Sequence, residues 1–250
     1  MITPYDWQQS IAQRAQYVEG RLAGGSPVVG LSFPQGVMLA TVRGSVRKVY
    51  EVYDRLIFAG LGSQADLEAL RLRAVEFAHT EGFVRSEADV TVQRVVGFAL
   101  SPTLKRAFAD PMTAPFVARA LFAEMGDRQE HDAFYVLNFD GEYSPYQQHA
   151  VVAGGDRAEQ AAISLLRETE NPATAEEAAR LALLAWGAAR EVLDGGEQAQ
   201  PGPEAAAGRL RKELESATPE IGCLDRESPR QNKFFLWPED RVRSTIASLP

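Results

Sequence analysis

The residues able to do chemistry are few, and their spacing limits what they can do. The three histidines, His79, His131 and His149, have no metal-ligand spacing, so surface or internally satisfied roles are expected and no metal site is read from them. Arg128, Gln129 and Glu130, just before His131, read as a polar hairpin loop; its one carboxylate cannot form an acid–base pair. Gly154-Gly155 lies between a strand-like and a helix-like run, where an anion-binding turn could sit, but two glycines without the rest of a phosphate motif are a weak signal. The single cysteine, Cys223 in E-I-G-C-L, cannot form an internal disulfide and reads as a small, inert core residue. No catalytic constellation, metal site or cofactor site emerges from these residues.

Composition bounds the rest. At 250 residues and 45% hydrophobic content the chain can bury a sizeable core as one domain, residues 1–250. A net charge of −8, with its cations scattered among acids, argues against a nucleic-acid partner. The first 25 residues carry Asp6, Arg14, Glu19 and Arg21 without the apolar core of a signal peptide, and no later run could span a membrane, so a cytoplasmic protein is expected.

The elements that must position any site follow from periodicity. Trp7, Ile11, Ala15, Val18 and Leu22 recur at spacings of three and four, which predicts a helix over 7–23 with an apolar face thin enough to need docking. Val28 to Phe33 and Val37 to Val42 flank Pro34-Gln35-Gly36 and predict a hairpin, and Val49 to Ala59 reads as a third strand-like run ending at Gly60-Leu61-Gly62. Gln64 to Thr80 reads as a helix entered from Ser63, and Asp89 to Phe108 as a second helical stretch broken at Ser101-Pro102. Thr113 to Met125 and Ala133 to Phe139 read as strands, and Asp140-Gly141 as a turn into a further strand pair whose second run is His149 to Gly154. Helices are then expected from Arg157 to Glu168 and from Thr174, where Thr174 and Glu177 fit a capping box and Leu181, Leu184, Ala185 and Ala188 form the buried face. Gly195 to Ala207 reads as a loop, Glu220 to Leu224 and Lys233 to Trp237 as strands, and Glu239 to Ala247 as a closing helix. Strands, two helices, strands, two helices, strands is the order of an α/β (α+β) four-layer α/β/β/α sandwich, two antiparallel sheets flanked by helices, over 24–250.

The opening strands, together with V-Y-D-R-L-I-F-A-G-L-G at 52 to 62, R-A-V-E-F-A-H-T-E-G-F-V-R-S-E-A-D-V-T at 73 to 91, D-G-E-Y-S at 140 to 144, H-A-V-V-A-G-G-D-R-A-E-Q at 149 to 160 and C-L-D-R-E-S-P-R-Q-N-K-F-F at 223 to 235, resemble bacterial, actinobacterial-style proteasome core-particle α-type subunits, which have the N-terminal nucleophile hydrolase fold. The departures are Pro27 after Ser26, a Gly/Pro-rich insertion near residue 200, and a short end at Ser248-Leu249-Pro250.

The resemblance implies what each position should do. Catalytic relatives begin their first strand with a threonine whose freed amine acts as base. Here that place is Ser26, internal and followed by Pro27; the expected acid aligns with Val42, and only the lysine, Lys48, is kept. No catalytic residue is therefore assigned, and the chain is expected to be a non-catalytic part of a threonine-type endopeptidase complex. Its implied partners are a β-type catalytic subunit, copies of itself in a heptameric ring, a ring-shaped AAA ATPase activator and unfolded protein substrates, with no membrane. Lys48, Gly30, Gly60 and Leu61 match positions of a pocket for the activator's C-terminal carboxylate, and Met1, Ile2, Thr3, Pro4, Tyr5 and Asp6 match the gate. Two alternatives stay open: a self-processing N-terminal nucleophile hydrolase with Ser26 as nucleophile, and a stand-alone homo-oligomeric scaffold.

Overall fold

The computed structural model describes residues 4–195 and 200–250, with the backbone alone for 4–6. Two five-stranded antiparallel sheets form its centre. One has the order β10-β9-β2-β1-β8, built from β1 (Val28–Phe33), β2 (Gly36–Arg43), β8 (His149–Val152), β9 (Thr218–Asp225) and β10 (Phe234–Leu236). The other has the order β3-β4-β5-β6-β7, from β3 (Val49–Tyr53), β4 (Leu56–Gly62), β5 (Ala118–Glu124), β6 (Ala133–Leu137) and β7 (Tyr143–Tyr146). Helices α5 (Asp156–Glu168), α6 (Ala175–Leu193), α7 (Pro203–Glu213) and α8 (Glu239–Ala247) cover the first sheet. Helix α2 (Gln64–Val84) and the segment ending in α4 (Ser101–Ala109) cover the second. Three apolar clusters fill the three gaps between these layers, so strands such as β1 are buried on both faces and read as unbroken apolar runs.

Several boundaries differ from the sequence expectation, each for a local reason. Val49 to Ala59 is two strands, because Asp54-Arg55 turns the chain and pairs β3 with β4. The stretch around Pro102 does not break: the single turn α3 (Val92–Arg94) widens into a π-helical turn over Val95–Leu100 and runs on into α4, whose second residue is Pro102. β5 begins at Ala118, later than Thr113. β7 and β8 are not a pair; they belong to different sheets, and Gln148, at φ 64, lies at the crossing. The expected loop over 195–207 ends early, since Gly202 caps α7 and Pro203 opens it.

Helix α6 is apolar almost all round because it lies under α5 and α7 as well as on the sheet. Its small residues permit this: a Cβ at Gly187 would lie 2.2 Å from the Ala206 carbonyl oxygen. Thr174 caps it as expected, its Oγ1 accepting the Glu177 N–H at 3.2 Å while the Glu177 carboxylate accepts the Ala173 N–H at 2.8 Å.

Candidate functional site around Lys48

Helix α1 spans Pro4–Leu22, so it starts before residue 7 and takes in Pro4, Tyr5 and Asp6 of the expected gate segment. Met1, Ile2 and Thr3 lie outside the described residues. Among the described side chains of the helix, those buried between the sheets are Val18 and Leu22 in its last turns, while Trp7 stays 49% exposed. Arg14 anchors the middle by donating to the carbonyls of Ala107 (2.9 Å), Phe108 (3.0 Å) and Thr113 (2.7 Å), the first two at the C-terminal end of α4. Periodicity puts Arg14 on the same face as Trp7, Ile11 and Val18, but it does not reveal which carbonyls the guanidinium meets.

After Leu22 the chain crosses to Gly25-Ser26-Pro27 and enters β1. Pro27 precedes the first β1–β2 pair, Val28 with Thr41, and so falls opposite Val42 with no N–H to offer. The Ser26 hydroxyl fills that role by donating to the Val42 carbonyl at 2.5 Å, and it accepts from the buried Trp186 indole of α6 at 3.1 Å. Both the proton and a lone pair of this hydroxyl are thus committed to the fold. Val42 itself is 2% exposed and packs under the helices on the opposite face from the second sheet.

Lys48 stands at the mouth of β3, after an exposed loop of Gly44-Ser45-Val46. Its ammonium donates to the Ser26 carbonyl at 3.0 Å and lies 3.5 Å from the Thr41 hydroxyl, which itself donates to the Pro27 carbonyl at 2.6 Å. The residue keeps some exposed surface but its charged end is sunk in the protein, and this burial pulls its pKa down to about 8, opposed by the Glu220 carboxylate. Glu220, on β9 opposite Thr41, accepts the backbone N–H groups of Lys48 (3.2 Å) and Val49 (2.9 Å) and the Arg43 guanidinium (2.9 Å).

Beside Lys48 opens a cavity of about 310 Å³, bounded by the Gly44–Arg47 loop, by Tyr50 and Phe58, and by Gly62, Gln64, Leu67 and Glu68 at the start of α2. Arg47 and Arg71 both stack on the Tyr50 ring, at 4.8 and 5.0 Å. Gly62 has φ +132, and a Cβ there would strike the Val117 carbonyl, so glycine is needed where β4 turns into α2.

The other expected pocket residues are placed unevenly. A Cβ at Gly60 would meet Leu67 and the Arg119 carbonyl, so this glycine lets α2 close onto β4 at the cavity's edge. Leu61 is 1% exposed between the sheets, and the glycine it abuts is Gly25. Gly30 does not reach this mouth. It is buried in mid-β1, where a Cβ would meet Phe134 and Leu39, because β1 is covered on both faces. Gly25, overlooked in the sequence, adjoins the Ser26 carbonyl that Lys48 holds; its place before Ser26 was the available signal.

Elsewhere the candidate groups are absorbed by structure. His79 packs edge-on against Tyr53, and the exposed His131 ring meets Asp127 at 2.5 Å. The half-buried His149 has its pKa lowered by burial and by Arg167. Burial pushes the Cys223 thiol up to about 12. Gly155 caps α5, whose own Glu159 accepts the Ala153 N–H and pairs with Arg119. Among the described residues no group of His, Cys, Asp and Glu converges on a metal position, and no helix is long and apolar enough to cross a membrane.

The sequence profile described as "Proteasome subunit" matches residues 22–199. The chain belongs to the proteasome α-subunit family. It is 32% identical over 238 residues to "Proteasome subunit alpha" of Streptomyces avermitilis, covering 94% of this chain and 86% of the relative. To the protein of the same description from Kineococcus radiotolerans it is 31% identical over 237 residues, covering 92% of each. Lys48 holds the Ser26 carbonyl, while the Ser26 hydroxyl is engaged by Val42 and Trp186.

Proposed function

We propose that the chain is a non-catalytic α-ring subunit of a cytoplasmic proteasome core particle, forming a gated, heptameric entry ring that stacks on a β-type catalytic ring. In this reading Met1 to Asp6 form the gate for unfolded substrates, and Lys48 receives the C-terminal carboxylate of a ring-shaped ATPase activator, with Gly60 at the pocket's edge. The observation that carries the reading is the bonding of Ser26. A nucleophile needs a free hydroxyl beside a base, yet this hydroxyl donates to Val42 and accepts from Trp186, and Val42 stands where the acid is expected. A buried ammonium on a residue that lines an open, partly apolar cavity suits a carboxylate-ended chain, since a charge-assisted hydrogen bond strengthens where water is excluded. Lys48→Ala is expected to leave ring assembly intact and to abolish ATPase binding, measured by native mass spectrometry and by pull-down with the activator. Unchanged ATPase affinity sinks the assignment.

A further inference from the structure

Among the charged groups around the Lys48 cavity, Glu220 has a place that the reading above does not use. It is a carboxylate 6% exposed on β9, the strand between β10 and β2, with no solvent-facing task of its own. Its oxygens take the N–H groups of two consecutive residues, Lys48 at 3.2 and 3.3 Å and Val49 at 2.9 Å, and also face the guanidinium groups of Arg43 at 2.9 Å and Arg47 at 3.8 Å. Lys48 precedes the first β3–β4 pair, Val49 with Ala59, so neighbouring strands do not fix its backbone. A carboxylate reaching across from the other sheet fixes it instead.

We propose that Glu220 is the positioning residue for Lys48: by gripping the Lys48-Val49 backbone and holding Arg43 and Arg47 aside, it aims the ammonium at the Ser26–Thr41 corner and keeps it charged for an incoming carboxylate. This rests on the docking role assigned to Lys48. Two physical effects combine. The clamp removes rotational freedom from a strand end that would otherwise fray, so less order has to be imposed on binding. The negative charge also opposes the burial that favours the neutral amine, and burial is the larger effect. The other charges near the site divide by element: Arg43 on β2 and Arg47 in the loop belong to Glu220, while Arg71 of α2 is held by Glu68 at 2.6 Å. Glu220 is thus the carboxylate that acts on Lys48.

The test separates this inference from the docking role. Lysine side chains of the full chain are reductively methylated with 13C-formaldehyde, and Lys48, assigned by its loss in Lys48→Arg, is titrated by NMR. Glu220→Gln is expected to move its midpoint below about 8. Glu220→Asp keeps the charge but shortens the reach, so the midpoint should hold while binding of an apolar hexapeptide with a free C-terminal carboxylate falls about tenfold. An amidated twin serves as control. A wild-type midpoint in Glu220→Gln, or undiminished peptide affinity in Glu220→Asp, overturns the proposal. If the wild type ignores the free carboxylate, the docking role fails and the titration still judges the effect of Glu220. If neither variant folds, amide exchange of the wild type decides: the Lys48 and Val49 N–H groups must be protected together, and fast exchange at both overturns the clamp.

Discussion

Ser26→Ala separates the two readings of this chain more sharply than any other single change. In the structural reading the hydroxyl is a joint between the first sheet and α6: it supplies the Val42 carbonyl with the donor that Pro27 lacks and gives the Trp186 indole its acceptor. Alanine leaves two buried groups unpaired, each costing about 1–3 kcal/mol. Allowing for relaxation, the total is about 2–5 kcal/mol. For a domain of this size that lowers Tm by roughly 5–15 °C. The assay is thermal unfolding followed by circular dichroism at one fixed protein concentration, since assembly would raise apparent stability. Trp186→Phe removes the orphaned indole donor in advance, so Ser26→Ala should cost less in that background. Intact mass is recorded for every variant. The reasoning is refuted if Ser26→Ala melts within about 1 °C of the wild type, as expected for a surface residue, while abolishing a self-cleavage or hydrolysis that the wild type performs.

Three further expectations follow from the same geometry. Lys48 has a folded pKa of about 8 against the ordinary 10.5, so folding carries a proton-linked cost that is fully present below about 8 and fades as pH rises toward 10.5; Lys48→Met should gain more relative stability at pH 7 than at pH 10, compared by urea midpoints. Asp132, 2% exposed, joins Arg226, the Ser32 hydroxyl (2.7 Å) and the Gly126 N–H (2.9 Å), so Asp132→Ala should cost about 3–5 kcal/mol and Asp132→Leu/Arg226→Met clearly less in urea unfolding. Deleting residues 2–6 should raise hydrolysis of a small fluorogenic peptide by the assembled particle, and an unaltered rate counts against a gate.

The sequence revealed elements better than junctions. Unbroken apolar runs located β1 and β2 because burial on both faces leaves little room for polar residues. Helix α8 came out as Glu239–Ala247 because Pro238 sets its start. The β3–β4 turn was hidden because Asp54-Arg55 has neither glycine nor proline, and the π-helical turn because its apolar spacing imitates an α-helix. At the site, Lys48 could be placed by its context, but its partners come from residues distant in sequence: Ser26, Thr41 and Glu220. No local pattern could pair a strand-end backbone with a carboxylate 172 residues away. The pocket role of Gly30 rests on the resemblance alone, and nothing local in the sequence tells that its missing side chain makes room for Phe134.

If the chain is non-catalytic, as proposed, the same placements put catalysis more than one residue away. Restoring an acid by Val42→Asp would not set a carboxylate beside Lys48, because the Val42 side chain points to the helical layer and Lys48 meets Ser26 and Thr41 near the other face. The new charge would be buried at a position 2% exposed among alanines and leucines with no cation assigned to it. It would either take up a proton or open the packing of α6 on β2. Val42→Asp should therefore destabilise the fold by several kcal/mol, as an uncompensated buried charge does, with the largest loss at high pH, where keeping the carboxyl protonated is hardest. Peptide hydrolysis by the isolated chain should stay at background. A rise in hydrolysis that depends on Ser26 would mean that Ser26 and Lys48 still form a working nucleophile and base, and the assignment as a non-catalytic ring subunit would fall with it.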